Sequence, residues 1–237
     1  MKQAITRALK NIGRAAMRRV LPVAADDRRI EPISRVFGLD RGEAIDRHYI
    51  GAFVDANAQR IRGAALEVGE DRYTSPYCRQ LDSIDIFHVE AGAHRATVIG
   101  DLARPETLPH ETFDCFICTQ TYMFIYDVAA AIRGSARMLK PGGTLIATVA
   151  GIAQISPYER DHFGDYWRFT TQSVERLMEQ AFNRSEIEVQ AYGNVYAAKA
   201  FLDGLSLEDI GDLSPLDRHD PDYPMIIGVC ARKASAG

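Results

Sequence analysis

The chain has 237 residues, 46% of them hydrophobic and 25% charged, with a formal net charge of −4. That length suits one α/β domain with a full core. The charge gives no general pull toward nucleic acid, and no apolar run is long enough to span a membrane.

Residues 1–22 carry six Lys/Arg and no acid, with Ile5, Leu9, Ile12, Ala16 and Val20 at helical spacing. A basic amphipathic helix is expected over 2–21, closed by Pro22. The basic residues interrupt any signal-peptide core, so the expected residence is cytoplasmic. Two readings of this helix stay open: docking on an anionic membrane at its inner face, or packing on its own domain or a second subunit in a homo-oligomer. A second amphipathic helix is expected at about 43–60, through Ile45, Tyr49, Ala52, Phe53 and Ala56. These segments are read together as an N-terminal helical extension, 1–62, ahead of an α/β domain, 63–237.

From there the pattern alternates. Strands are expected at 64–68, 84–89, 96–100 and 113–119, a helix at 125–140, and a turn at Pro141-Gly142-Gly143. A strand at 144–150, an aromatic and charged loop at 151–169, and a helix capped by Thr170 or Thr171 follow. The chain ends with a strand at 186–192, a helix around 195–203, an acidic segment at 203–223 and a strand at 225–233. Continuous apolar strands alternating with helices predict a doubly wound, mostly parallel sheet covered on both faces. Ligands in such sheets bind beyond the C-terminal strand ends. Gly69, Glu90, Asp101 and Thr119 should therefore share one rim.

Cys115 and Cys118 are spaced as C-x-x-C, but on one strand residues three apart face opposite sides. They read as buried thiols. His219, Asp220 and Asp222 invite a metal, but Pro221 and the following strand favour a turn. No metal is expected.

The turn after the first strand reads Glu67-Val68-Gly69-Glu70-Asp71. Carboxylates there would repel a dinucleotide's pyrophosphate, which needs glycine-lined N–H groups. No phosphate-binding G-x-x-x-x-G-K-[ST] loop exists either. A phosphate-free cationic cofactor fits better, and S-adenosylmethionine carries an ammonium and a sulfonium. Glu67 would receive the ammonium at the Gly69 corner, with Tyr73 beside the methionine part. Glu90 would accept the ribose hydroxyls, and Asp101, followed by Leu102, the adenine amino group.

"LEVG", "FHVE" and the run from "VIGDLARPETLP" to "LKPGGTLIATV" resemble the class I S-adenosylmethionine-dependent methyltransferases, and the group with the type 11 methyltransferase domain in particular. The resemblance implies a seven-stranded, Rossmann-like sheet whose last strand is antiparallel. "FGDYWRFT", 163–170, is similar to methyltransferases found with glycan-assembly enzymes. It implies a sugar, glycan or other small polar acceptor, methylated on a hydroxyl. The family's acid-x-G-x-G-x-G motif departs here, reading Glu67-Val68-Gly69-Glu70-Asp71-Arg72-Tyr73, and only some 15 residues separate strands one and two. The intervening helix should be short or absent. A degenerate scaffold without efficient catalysis is the alternative.

The acceptor should lie over the loop 151–169. His162 is the expected base by intrinsic pKa, with Asp161 or Asp165 as orienter or alternative. Tyr166 and Trp167 would stack on a sugar face, and Arg168 would hold a phosphate or carboxylate.

Overall fold

The computed structural model describes residues 30–235; the expected basic helix at 2–21 lies outside them. The chain divides after Pro32, and the compact unit described below begins at Ile33.

Seven strands form one sheet: β1 (Gly63–Val68), β2 (Leu81–His88), β3 (Val98–Ile99), β4 (Phe113–Thr119), β5 (Leu139–Ala150), β6 (Ile187–Tyr192) and β7 (Ile226–Arg232). Their order is 3-2-1-4-5-7-6. β7 runs antiparallel to both β5 and β6, and the other pairs are parallel. The strand order reverses between β1 and β4, which opens a crevice above their C-terminal ends.

Each face of the sheet has its own apolar core. One face is covered by α1 (Ile45–Ala56) and by α5 (Val195–Asp203), a later helix joining β6 to β7. α1 buries Ile45, Tyr49, Ile50, Phe53 and Val54, the stripe that its 3.6-residue period places on one side. The other face is covered by α2 (Val128–Met138) and α4 (Thr171–Met178). Side-chain caps start three of these helices. Asp127 accepts from Ala130 N–H at the start of α2, and Asn194 from Ala197 N–H at the start of α5. Thr170, not Thr171, caps α4 in a reciprocal box with Ser173. Cys115 lies in the core under α1 and Cys118 in the core on the other face; burial pushes each thiol up to about 12.

Several expectations are corrected. The boundary at 62 is displaced, because α1 is part of the sheet's core rather than an extension of it. Gly63, at φ +69, opens β1. β5 begins at Leu139 rather than Thr144, so Pro141-Gly142-Gly143 falls inside the strand. There it skips the register between Phe113↔Leu139 and Cys115↔Thr144. The loop 151–169 contains a short helix, α3 (Pro157–His162), which the sequence hides because "PYERDH" has no apolar stripe. The acidic segment holds α6 (Leu207–Ile210) and a 3-10 turn at Ser214–Asp217. Between β1 and β2, as expected, there is no α-helix, only a 3-10 turn at Ser75–Gln80.

Candidate functional site

A cavity of about 710 Å³ opens above the C-terminal ends of β1, β4 and β5. Its walls come from the segment before α1, the first turn of α1, the turn after β1, the end of β4 and the loop after β5.

The turn after β1 is held by Glu67. This residue is 1% exposed, and its carboxylate accepts from Tyr73 N–H (2.9 Å), Thr74 N–H (2.7 Å) and Thr74 Oγ1–H (2.7 Å). Burial pushes its pKa up to about 7, against the pull of these hydrogen bonds. The carboxylate thus organises a turn that has neither the glycines nor the helix of the usual motif. Most of its acceptor capacity is used by its own chain, rather than standing free for an ammonium as expected. Gly69 follows at φ +82, and a side chain there would meet no atom within 4 Å. The glycine is needed for its backbone angle, and it faces open space. Asp71 is taken up in an ion pair with Arg95 at 2.5 Å.

Opposite this turn stand Asp46 and Arg47. Asp46 Oδ1 is closed off from solvent and, among the described residues, finds no hydrogen-bond partner. Burial pushes its pKa up, against the charge of Arg47. Arg47 is half-buried and donates to the Tyr73 hydroxyl at 3.2 Å. All three line the cavity. The sequence reading missed Asp46 and Arg47 because they precede the first strand. The signal was present: Asp46 lies three and four residues before Tyr49 and Ile50, at the helical spacing of the side that α1 buries.

At the end of β4, Thr119 and Gln120 complete this wall. Gln120 adopts φ +47, a left-handed angle uncommon for a non-glycine residue. It is held there by its N–H to Thr148 O (2.8 Å) and its Nε2 to Thr148 Oγ1 (3.2 Å).

The loop after β5 is braced by a buried ion pair. Asp165, its side chain 1% exposed, accepts from both Arg168 Nη1 (2.6 Å) and Nη2 (3.0 Å), and from Ser156 N–H (2.9 Å). Burial alone would raise the Asp165 pKa; the Arg168 and Ser156 hydrogen bonds outweigh it and hold the pKa below the usual range. Arg168 also donates to the carbonyls of Ala153, Gln154 and Trp167. Both side chains line the cavity, yet they are committed to each other and to the loop.

The other expected acceptor-site residues do not gather at the cavity. His162 is exposed at the end of α3, with Nδ1 2.7 Å from Tyr158 O and its ring stacked on Tyr158 at 4.2 Å. Asp161 is exposed and pairs with Arg160 at 2.8 Å. Tyr166 and Trp167 cluster with Tyr126, at 5.4 and 5.9 Å between rings, and Trp167 Nε1 donates to Ile125 O. Glu159 lines the cavity from the first turn of α3 and accepts from Ser156 Oγ.

The expected cofactor residues divide likewise. Glu67, Gly69, Tyr73 and Thr119 line the cavity, while Glu90, Asp101 and Leu102 do not. Those three follow β2 and β3, on the far side of β1 from the cavity. Glu90 is exposed; Asp101 accepts from Ala103 N–H at 2.9 Å; Leu102 is buried in the core. His219 packs edge-on against Tyr49 and Tyr192, and Asp220 and Asp222 form a turn. Among the described residues no cluster of three His, Cys, Asp or Glu is placed to hold a metal ion.

Residues 72–147 match the family described as a methyltransferase domain, type 11. No curated protein matches the chain in sequence. Among solved structures, an S-adenosylmethionine-dependent methyltransferase from Archaeoglobus fulgidus is 9% identical, with a TM-score of 0.51 over 79% of this chain and 94% of that one. The N-methyltransferase NodS from Bradyrhizobium japonicum WM9, solved with S-adenosyl-L-homocysteine, is 15% identical, with a TM-score of 0.50 over 81% and 88%. The [4+2]-cyclase SpnF is 16% identical, with a TM-score of 0.51 over 88% and 89%. The chain therefore has the Rossmann-like fold of the S-adenosylmethionine-dependent methyltransferases, with a methyltransferase-domain match running from Arg72 to Ala147.

Proposed function

We propose that the protein is an S-adenosylmethionine-dependent methyltransferase that methylates a hydroxyl of a sugar, glycan or other polar acceptor. The observation that carries this reading is the orphaned carboxylate oxygen of Asp46 in the cavity, next to Arg47 and across from the Gly69 corner. A buried carboxylate oxygen without a partner costs stability and calls for a cation. Arg47 alongside offers a site for a carboxylate. Together they fit the zwitterionic end of an amino acid, and so the methionine part of the donor. Gly69 leaves the adjoining space clear of side chain. When bound, the donor supplies an electrophilic methyl group on a sulfonium.

The chain's own residues then have separate tasks. Asp46 and Arg47 bind and orient the amino-acid end. Glu67 keeps the turn closed, and the apolar walls at Met123, Phe124 and Phe201 exclude water. Glu159, rather than His162, is the cavity-facing group placed to take the acceptor's proton, at the opposite wall from the β1 turn. Positioning and proton removal are the two contributions a methyl transfer asks of its protein.

Calorimetric titration tests this reading. S-adenosylmethionine and S-adenosylhomocysteine should bind, and NAD should not. Asp46→Asn should weaken the first two about tenfold or more, the cost of one charged hydrogen bond. Silence toward both would favour a second reading, a domain of this fold without methyl transfer. The glycine-poor turn and the missing helix after β1 favour that second reading, and SpnF, a [4+2]-cyclase, has the same fold.

A further inference from the structure

The turn after β1 and the loop between β2 and β3 are tied together by one ion pair. Asp71 accepts from both Arg95 Nη1 (2.7 Å) and Arg95 Nη2 (2.5 Å), a two-pronged contact between planar groups. Asp71 follows Glu70, which lines the cavity; Arg95 lies in the loop that carries Glu90, which does not. The pair therefore joins the edge of the cavity to the loop beyond it, on the side of β1 that faces β2.

Little else holds that loop. Between Glu90 and Ala96 its own backbone contacts are long: Ala93 N–H to Glu90 O at 3.4 Å and Ala96 N–H to Ala93 O at 3.2 Å. Arg95 stands at φ +62, a left-handed angle that a non-glycine residue keeps only where its surroundings fix it. The fixing group is Asp71, and Glu70 adds its negative charge to the attraction. The side chains of Arg95 and Asp71 are 55% and 25% exposed, so salt screens the pair and it can open at little cost.

An amino-acid end held at Asp46 and Arg47 leaves the nucleoside of the donor still to be placed. Glu90 and Asp101 are the carboxylates the sequence offers for it, and both stand outside the cavity. A closed tie between the two loops accounts for that separation. We propose, resting on the donor site of the methyl-transfer reading, that the Arg95–Asp71 pair is a strap across the nucleoside side of this site, and that it must release before Glu90 can reach the ribose. Breaking the pair takes up part of the binding free energy. The strap thus sets donor affinity and makes it depend on ionic strength, by no more than the pair itself is worth.

Calorimetric titration with S-adenosylhomocysteine, whose ammonium and carboxylate cancel in net charge, tests the strap. Arg95→Gln and Asp71→Asn should each raise its affinity about two- to fivefold, the range an exposed pair supplies. The double variant should gain no more than either single one. Raising salt from about 0.01 M to about 1 M should strengthen binding to the wild type by a similar factor and leave Arg95→Gln unchanged. Hydrogen exchange reads the strap without any ligand: the amides of residues 90–96 should exchange faster in both variants than in the wild type. Unchanged affinity in both variants, or unaltered exchange at 90–96, would overturn the strap and leave the donor site standing. Weaker binding by both would overturn it too, because the pair would then build the site rather than close it. Silence from the wild type and both variants would remove the donor site, and the strap with it. Silence from the wild type alone, with binding by Arg95→Gln, would be the strap at its strongest.

Discussion

The two walls of the cavity treat charge in opposite ways. On the β5–α4 wall every buried charge is answered: Asp165 by Arg168 and Ser156 N–H, and Arg168 by three carbonyls besides. On the α1 wall Asp46 keeps a carboxylate oxygen out of water with no partner among the described residues. A satisfied buried charge is explained by the loop it holds. An unsatisfied one costs the fold something and is explained only by what it will bind. The difference separates residues that build the site from residues that wait for a ligand.

The comparison is broken most directly at Asp165. Removing one partner of a buried pair leaves the other charge uncompensated, which costs about 3–5 kcal/mol. Asp165→Ala should therefore lower the melting temperature by roughly 6–20 °C for a domain of this size. Part of that loss should return in the double variant with Arg168→Met. If Asp165→Ala melts with the wild type, the loop does not depend on the pair.

Glu67 comes next, because it belongs to both categories: fully hydrogen-bonded, yet with burial raising its pKa from the ordinary 4.5 to about 7. A carboxyl whose folded pKa lies above its unfolded value stabilises most when protonated in both states. Its contribution is complete below pH 4.5 and is lost as pH rises through about 7. Denaturant melts should show stability declining across that window by up to about 3 kcal/mol from this residue. Glu67→Gln should flatten the slope. A slope of opposite sign in the wild type would mean that the Tyr73 and Thr74 donors, not burial, dominate.

Asp46→Asn sharpens the contrast from the other side. Replacing a carboxylate that keeps one oxygen buried without a hydrogen-bond partner should leave the free protein as stable or raise it by about 1 kcal/mol, while donor affinity falls. Thermal melts with and without S-adenosylhomocysteine read both effects in one experiment. A destabilised variant with unaltered ligand response would make Asp46 a structural residue.

Much of the sheet was legible because apolar runs, punctuated by Gly63, Gly69 and Gly143, leave few alternatives for β1, β4 and β5. The antiparallel last strand came from the family resemblance and is present in β7. What was not legible had physical causes. α1 looked like an appendage because periodicity reports one buried face but not what covers it. His162 was favoured for its intrinsic pKa, a property that carries no information on position, and the cap end of α3 holds it outside the cavity. Asp46 was overlooked because it precedes the first strand, while ligands of such sheets are sought at the strand ends. Only its helical spacing from Tyr49 and Ile50 argued otherwise.

The smallest expected effect on ligand affinity is at Gly69, where the two kinds of residue can be told apart by a single methyl group. At φ +82 an L-residue costs about 1–2 kcal/mol in backbone strain, so Gly69→Ala should destabilise the free protein by that amount and no more, because the added carbon meets nothing within 4 Å. Gly63 offers the internal control: at φ +69 its added carbon would lie 2.5 Å from Asp114 Oδ2, so Gly63→Ala should cost more stability through strain and crowding together. With donor present the order should reverse. The Gly69 methyl would occupy the space in which the methionine part is proposed to sit, and S-adenosylhomocysteine affinity should fall several-fold, while Gly63→Ala should leave affinity nearly unchanged. If both variants bind the ligand equally well, the donor does not approach the β1 corner, and the orphaned oxygen of Asp46 must be answered by some other cation.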